Sequence, residues 1–89
     1  MMEIRVHPRV KKYLDGSGEK ERLKEHLRKL ADDPFTPRKG ADIKKLKGKR
    51  HDLYRLRVGP HRFEYFVEDD IIWIERAFLR GKDYQKEKE

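Results

Sequence analysis

With 89 residues, 35% of them apolar and 46% charged, the chain can build one thin core, and 24 Lys and Arg against 17 Asp and Glu leave it at +7. A domain of this size buries only about 60–65% of the surface its unfolded chain exposes, so one unit spanning 1–89 is expected. The absence of cysteine excludes a disulfide scaffold, a thiol nucleophile and a cysteine-based zinc site. The longest apolar run, Ile71 to Ile74, falls far short of the roughly 20 residues that a membrane span needs. Met1 to Arg5 lacks the apolar stretch of a secretory signal. A soluble, basic, cytoplasmic domain with no membrane partner is expected.

Ile4 and Val6 alternate with polar residues, which predicts a short strand over Glu3 to His7. Pro8 suits the first position of a following helix, because it lacks an N–H that would be unpaired there and its φ is already helical. Val10, Tyr13 and Leu14 make the i, i+3, i+4 stripe of that helix, and Asp15-Gly16-Ser17-Gly18 ends it. Ser17 is the expected cap of a second helix, with Glu19 and Glu21 near its positive end. Leu23, Leu27, Leu30 and Ala31 fall on one face of that helix, which Asp32-Asp33-Pro34 closes. Two such helices form a hairpin that must cover something.

Residues 35 to 50 read as an irregular basic loop anchored only by Phe35, Ile43 and Leu46. The period then becomes two. Leu53 to Val58, His61 to Val67 and Ile71 to Leu79 read as strands joined by tight turns at Gly59-Pro60 and Asp69-Asp70. The expected order is β-α-α-β-β-β, an α+β domain with a helical hairpin on an antiparallel meander. Residues 84 to 89 are expected to be a polar tail.

The charge is concentrated. Arg38 to Arg62 holds ten Lys and Arg and only Asp42 and Asp52 as acids, a net of +8, while the other 64 residues sum to −1. Such a block is the footprint of a polyanion partner, nucleic acid above all. The plainer alternative is a solvated charged face on a Lys/Glu-rich protein.

A two-residue turn at Gly59-Pro60 sets Val58 against His61, Arg57 against Arg62 and Arg55 against Glu64. Tyr54, Leu56, Val58, His61, Phe63, Tyr65 and Val67 then share the face that receives the helices, and His61 becomes a core histidine. Arg55, Arg57 and Arg62 are left on the open face. Arg55 has Glu64 as a partner. Arg57 facing Arg62 is repulsive by some tenths of a kcal/mol, with no neighbour in sequence to neutralise it, and a bound anion would. Arg80 and Tyr84 follow the last strand, where a phosphate contact and a stacking or proton-transfer group would fit.

Lys45-Leu46-Lys47-Gly48, then Leu53 to Tyr65 (LYRLRVGPHRFEY), then Leu79 to Tyr84 (LRGKDY), behind a helical hairpin, together resemble the RelE/ParE superfamily of bacterial and archaeal toxins. The resemblance implies the toxin of a toxin–antitoxin pair. A RelE-type member enters the ribosomal A site and cuts messenger RNA by turning a ribose 2′-OH onto the adjacent phosphate. Carried over residue by residue, the implied catalytic set is Arg57, Arg62, Arg80 and Tyr84. Arg62 and Arg80 would hold the phosphate, Arg57 would offset developing charge, and Tyr84 would stack or transfer a proton. Lys44, Lys45, Lys47, Lys49, Arg50, His51 and Arg55 would bind RNA and the ribosome. Arg62→Ala and Arg80→Ala are expected to abolish growth inhibition and leave the fold intact.

Some RelE-type enzymes carry lysine, a candidate base, where this chain has Arg55 or Arg57. Arginine does not deprotonate, so the base would be Tyr84, His51 or a ribosomal group. No metal or other cofactor is expected, since His7, His26, His51 and His61 lack ligand spacing. The implied partners are a cognate antitoxin, in assemblies that include a heterotetramer, and the ribosome with its messenger. Two alternatives are a ParE-like gyrase poison without nuclease chemistry and a non-catalytic RNA-binding module. Arg80 and Tyr84, which ParE-type relatives generally lack, favour the nuclease.

Overall fold

The chain forms the expected elements and one more in a computed structural model that describes residues 2–47 and 52–81. They are β1 (Glu3–Val6), α1 (Pro8–Asp15), α2 (Lys20–Arg28), a 3-10 turn at Lys29–Ala31, β2 (Asp42–Leu46), β3 (Leu53–Val58), β4 (His61–Glu68) and β5 (Ile71–Leu79). They assemble into one mixed sheet of order β1-β5-β4-β3-β2. β2 to β5 run as an antiparallel meander, and β1 lies parallel to β5 with Ile4 beside Ile72 and Val6 beside Ile74.

Pro8 opens α1 as its spacing predicts, and the His7 imidazole caps it, Nδ1 accepting the Arg9 N–H at 3.1 Å. The second cap differs from expectation. α2 starts at Lys20 behind Glu19, and Ser17 Oγ accepts the Glu19 N–H at 3.0 Å outside the helix. Glu19 makes no side-chain cap, because its carboxylate is occupied by His61 and Arg22.

The basic segment is also corrected, since it contains β2 rather than only irregular chain. Ile43 and Leu46 lie three apart and so on opposite faces, which hides the period of two. Its anchors differ too. Phe35 is 47% exposed, whereas Pro34 and Ala41 are buried with Ile43. The Tyr65 hydroxyl, in the core, donates to the Pro34 carbonyl at 2.6 Å and fixes the approach to β2.

Both turns have the backbone that tight hairpins need. Gly59 has φ +58° ahead of a proline, and Asp69 and Asp70 have φ +55° and +60°, a conformation aspartate tolerates. The first turn sets Val58 against His61, Arg57 against Arg62 and Arg55 against Glu64, as the sequence predicts. Between β4 and β5 the register shifts at Glu64/Tyr65, so Tyr65 faces Ile74 but Glu64 faces Arg76. The extra residue, Glu75, reverses which face each later β5 residue takes.

The helices cover one face. Val10, Leu14, Leu23 and Leu27 pack there with Leu56, Val58, Phe63, Tyr65, Ile72 and Ile74. Among the described residues, no helix is long and apolar enough to cross a membrane.

Candidate anion site on the open face of the sheet

Alternation turns Arg55, Arg57 and Arg62 away from the helices, with Arg57 directly across from Arg62. Together with Arg80 they line an open pocket of about 420 Å³, closed by Leu46, Glu64, Phe78 and Gly81. Arg62 is innermost, at 8% exposure. Its Nη1 donates to the Gly59 carbonyl at 2.9 Å and the His61 carbonyl at 3.2 Å, so the guanidinium is folded onto the β3–β4 turn. Arg80 leaves the sheet but keeps hold of the same turn, its backbone N–H donating to Pro60 O at 2.8 Å. Four arginines therefore line one pocket, and two of them, Arg62 and Arg80, are tied to the same turn.

Asp42 supplies the counter-charge that the sequence reading did not find. β2 sets it opposite Arg57, whose Nε donates to Asp42 Oδ2 at 2.6 Å, and Arg55 Nη2 lies 4.0 Å from Oδ1. Across the pocket, Arg76 Nη1 donates to Glu64 Oε1 at 3.2 Å, and the Arg76 guanidinium sits 5.1 Å from the centre of the Phe78 ring. The compensation is incomplete. Burial, and then the charges of Arg55, Arg57 and Arg80, pull the Arg62 pKa below its ordinary value, with Asp42 acting the other way. Arg55 Nε is buried without a hydrogen-bond partner among the described residues. The site holds positive charge at a free-energy cost that a bound anion would relieve.

No protein-family model matches the chain, and no curated protein matches it either. Solved structures do. A chain in the crystal structure of an archaeal RelE–RelB complex from Pyrococcus horikoshii OT3 is 32% identical, over 91% of this chain and 97% of that one, with a TM-score of 0.76. The chain belongs to the RelE toxin family. A RelB–RelE antitoxin–toxin complex from Methanococcus jannaschii matches at 27% identity, over 89% of this chain and 93% of that one, with a TM-score of 0.69. The isolated Escherichia coli RelE toxin, 19% identical over 98% of this chain and 95% of its own, shares the fold at a TM-score of 0.69.

This RelE-family chain gathers part of the predicted set and separates the rest. Arg55, Arg57, Arg62 and Arg80 converge. Lys44 pairs in register with Arg55 and so belongs to the same face. Lys45 pairs with Tyr54 on the helix side, and its Nζ lies 3.3 Å from Asp52, away from the pocket. Lys47 is exposed just beyond β2. Lys49, Arg50, His51 and Tyr84 lie outside the described residues. The sequence reading missed Asp42, Leu46 and Phe78. The first two depend on recognising β2, and Phe78 reaches Arg62 only because of the β5 bulge.

Proposed function

We propose that this RelE-family chain is the toxin of a toxin–antitoxin pair and cuts messenger RNA on the ribosome at the arginine pocket. The observation that carries the reading is the convergence of Arg55, Arg57, Arg62 and Arg80 on one open pocket with Asp42 as partial counter-charge. A phosphodiester about to react is the anion such a site suits. Attack by the 2′-OH on the adjacent phosphorus forms the 2′-O–P bond and breaks the P–O5′ bond, leaving a 2′,3′-cyclic phosphate and a 5′-OH. The 2′ proton is taken up by a base, and a proton reaches O5′. Arg62 and Arg80 hold the nonbridging oxygens, and Arg57 offsets the charge that grows on the pentacoordinate phosphate. None of these arginines serves as the base, because guanidinium stays protonated. That role falls to Tyr84, His51 or a ribosomal group, and a pocket this poor in acid–base groups is why the reading includes the ribosome.

Primer extension on messenger during translation, beside the same messenger free in solution, tests the reading. Cuts confined to translated messenger support it. Cleavage of free RNA at a comparable rate refutes ribosome dependence, and inhibition of DNA supercoiling without any cleavage replaces the nuclease by a gyrase poison.

Such a toxin needs a protein that restrains it, and the two archaeal matches above are complexes with RelB. The partner expected here is an antitoxin with an acidic or amphipathic segment that covers Arg57, Arg62 and Arg80 or displaces Tyr84. Charge attraction across the rim speeds association, so the association rate falls as salt rises. An association rate indifferent to salt would remove the electrostatic part of this proposal.

A further inference from the structure

His61 precedes Arg62 on β4, so its side chain points to the helix side and does not reach the pocket. It is nonetheless held at both ring nitrogens. Nδ1 lies 2.6 Å from the Tyr13 hydroxyl on α1, and Nε2 lies 2.9 Å from Glu19 Oε2 at the start of α2. The Tyr13 ring meets the imidazole edge-on at 5.8 Å, and Arg22 Nη1 donates to the other Glu19 oxygen at 2.6 Å. At 6% exposure, His61 is a buried polar group with each polar atom matched. A neutral ring donates from Nε2 to the carboxylate and accepts the tyrosine O–H, whereas a protonated ring donates from both sides. Either state keeps both contacts.

An apolar residue would pack here without the desolvation cost of a polar triad. What the triad adds is direction, since a ring held at both nitrogens cannot slide or rotate against the helices. His61 is also the first residue after the turn that carries the anion site. Three consecutive carbonyls of this segment organise the pocket: Gly59 and His61 accept from the Arg62 guanidinium, and Pro60 accepts from the Arg80 backbone N–H. We propose that Tyr13, His61 and Glu19 are positioning residues that lock the β3–β4 turn to both helices and thereby fix Arg62 and Arg80 for anion binding. The catalytic consequence rests on the nuclease reading above, whereas the effect on the arginines does not.

The full chain is compared with Tyr13→Phe, Glu19→Gln, His61→Leu and His61→Gln. His61→Leu keeps the packing and loses the contacts, and His61→Gln can still accept from Tyr13 and donate to Glu19. The first measurement is the Arg62 Nε–Hε signal in ¹H–¹⁵N spectra, followed as inorganic phosphate is added. The second is the rate of cutting of translated messenger. Tyr13→Phe and His61→Leu should move the Arg62 signal and weaken phosphate binding about tenfold, the scale of one misplaced charged hydrogen bond, with His61→Gln recovering most of the loss. If His61→Leu fails to fold, Tyr13→Phe decides the matter, while Glu19→Gln, whose amide oxygen can still accept from Nε2, should stay near wild type. An unmoved Arg62 signal with wild-type phosphate affinity in folded Tyr13→Phe or His61→Leu overturns the proposal. Should the wild-type chain cut no messenger while its phosphate binding still depends on the triad, the nuclease reading falls and the positioning role stands.

Discussion

Asp42→Asn removes the charge that lets Arg57 and Arg62 face each other, and its cost can be worked from the structure. Asp42 and Arg57 are half exposed, at 44% and 48%, so their 2.6 Å pair is screened and contributes about 0.2–1 kcal/mol. Releasing Arg57 also exposes its repulsion from Arg62, worth some tenths of a kcal/mol across a strand pair. Together the loss is about 1 kcal/mol, which in a domain of this length lowers the melting temperature by about 4–8 °C. Phosphate that binds only the folded state raises stability by RT ln(1 + [L]/Kd). The pocket of the variant is more positive, so it binds phosphate more tightly and gains more from it. Calorimetry at fixed ionic strength, with phosphate replacing chloride, should therefore show the gap between variant and wild type closing as phosphate increases. Holding ionic strength constant separates site binding from general screening. If both proteins melt together without phosphate, or gain equally from it, Asp42 is not the counter-charge of this site.

Arg80 is exposed and its structural tie is through the backbone N–H, so Arg80→Ala should leave the melt within about 0.5 kcal/mol of wild type while abolishing growth inhibition at equal expression. Arg62→Ala, which the sequence suggested would be innocuous to the fold, removes a buried side chain whose Nη1 donates to the Gly59 and His61 backbone carbonyls and should cost about 1–3 kcal/mol by chemical denaturation. Arg62→Lys, which keeps the charge without the fork, is the better probe of function; a fully toxic Arg62→Lys would show that bidentate contact is not needed. Tyr65→Phe leaves the Pro34 carbonyl without its donor, and amide exchange should quicken across Pro34 to Ile43 before the rest of the core opens. On the acid side, Asp15 is held below its ordinary pKa chiefly by its hydrogen bond with Lys20, Glu19 chiefly by that with His61, and Asp33 chiefly by that with Thr36. Folded-state values below the unfolded ones mean stability that is complete above about pH 4.5 and lost as pH falls through the depressed values. Glu19→Gln should flatten that limb, and an unchanged acid-unfolding midpoint would refute the role given to its pair with His61.

The strands on either side of Gly59-Pro60 were legible because one glycine-led turn fixes their pairing, and Arg57 opposite Arg62 followed without any structural information. β2 was not legible. Its two apolar residues face opposite ways, so burial on the helix side by Ile43 and in the pocket by Leu46 erases the alternation that marks a half-buried strand. Missing β2 concealed Asp42, since a lone acid in a basic run reveals nothing until a register sets it beside Arg57. The β5 bulge failed for a different reason. Counting back from Asp69-Asp70 without it sets Ala77 against Arg62, whereas the inserted Glu75 brings Phe78 there. No residue type in Glu75-Arg76-Ala77 announces an extra residue. Alternation alone turns His61 inward, but its partners Tyr13 and Glu19 lie 48 and 42 positions away and become visible only in three dimensions.

The pocket and the core are set by the same pairing, and this explains how a site of like charges persists in a thin domain. A slip of β4 by one residue against β3 would turn Phe63 and Tyr65 toward solvent and carry Arg62 under the helices. Each buried side chain of that size contributes about 1.5–3 kcal/mol, whereas the opposed arginines cost some tenths. Burial therefore outweighs repulsion by roughly an order of magnitude, and the repulsion cannot be relieved by sliding. It can be relieved only by a counter-charge. Asp42 supplies part of one from the neighbouring strand, and the remainder is left for whatever anion enters beside Phe78.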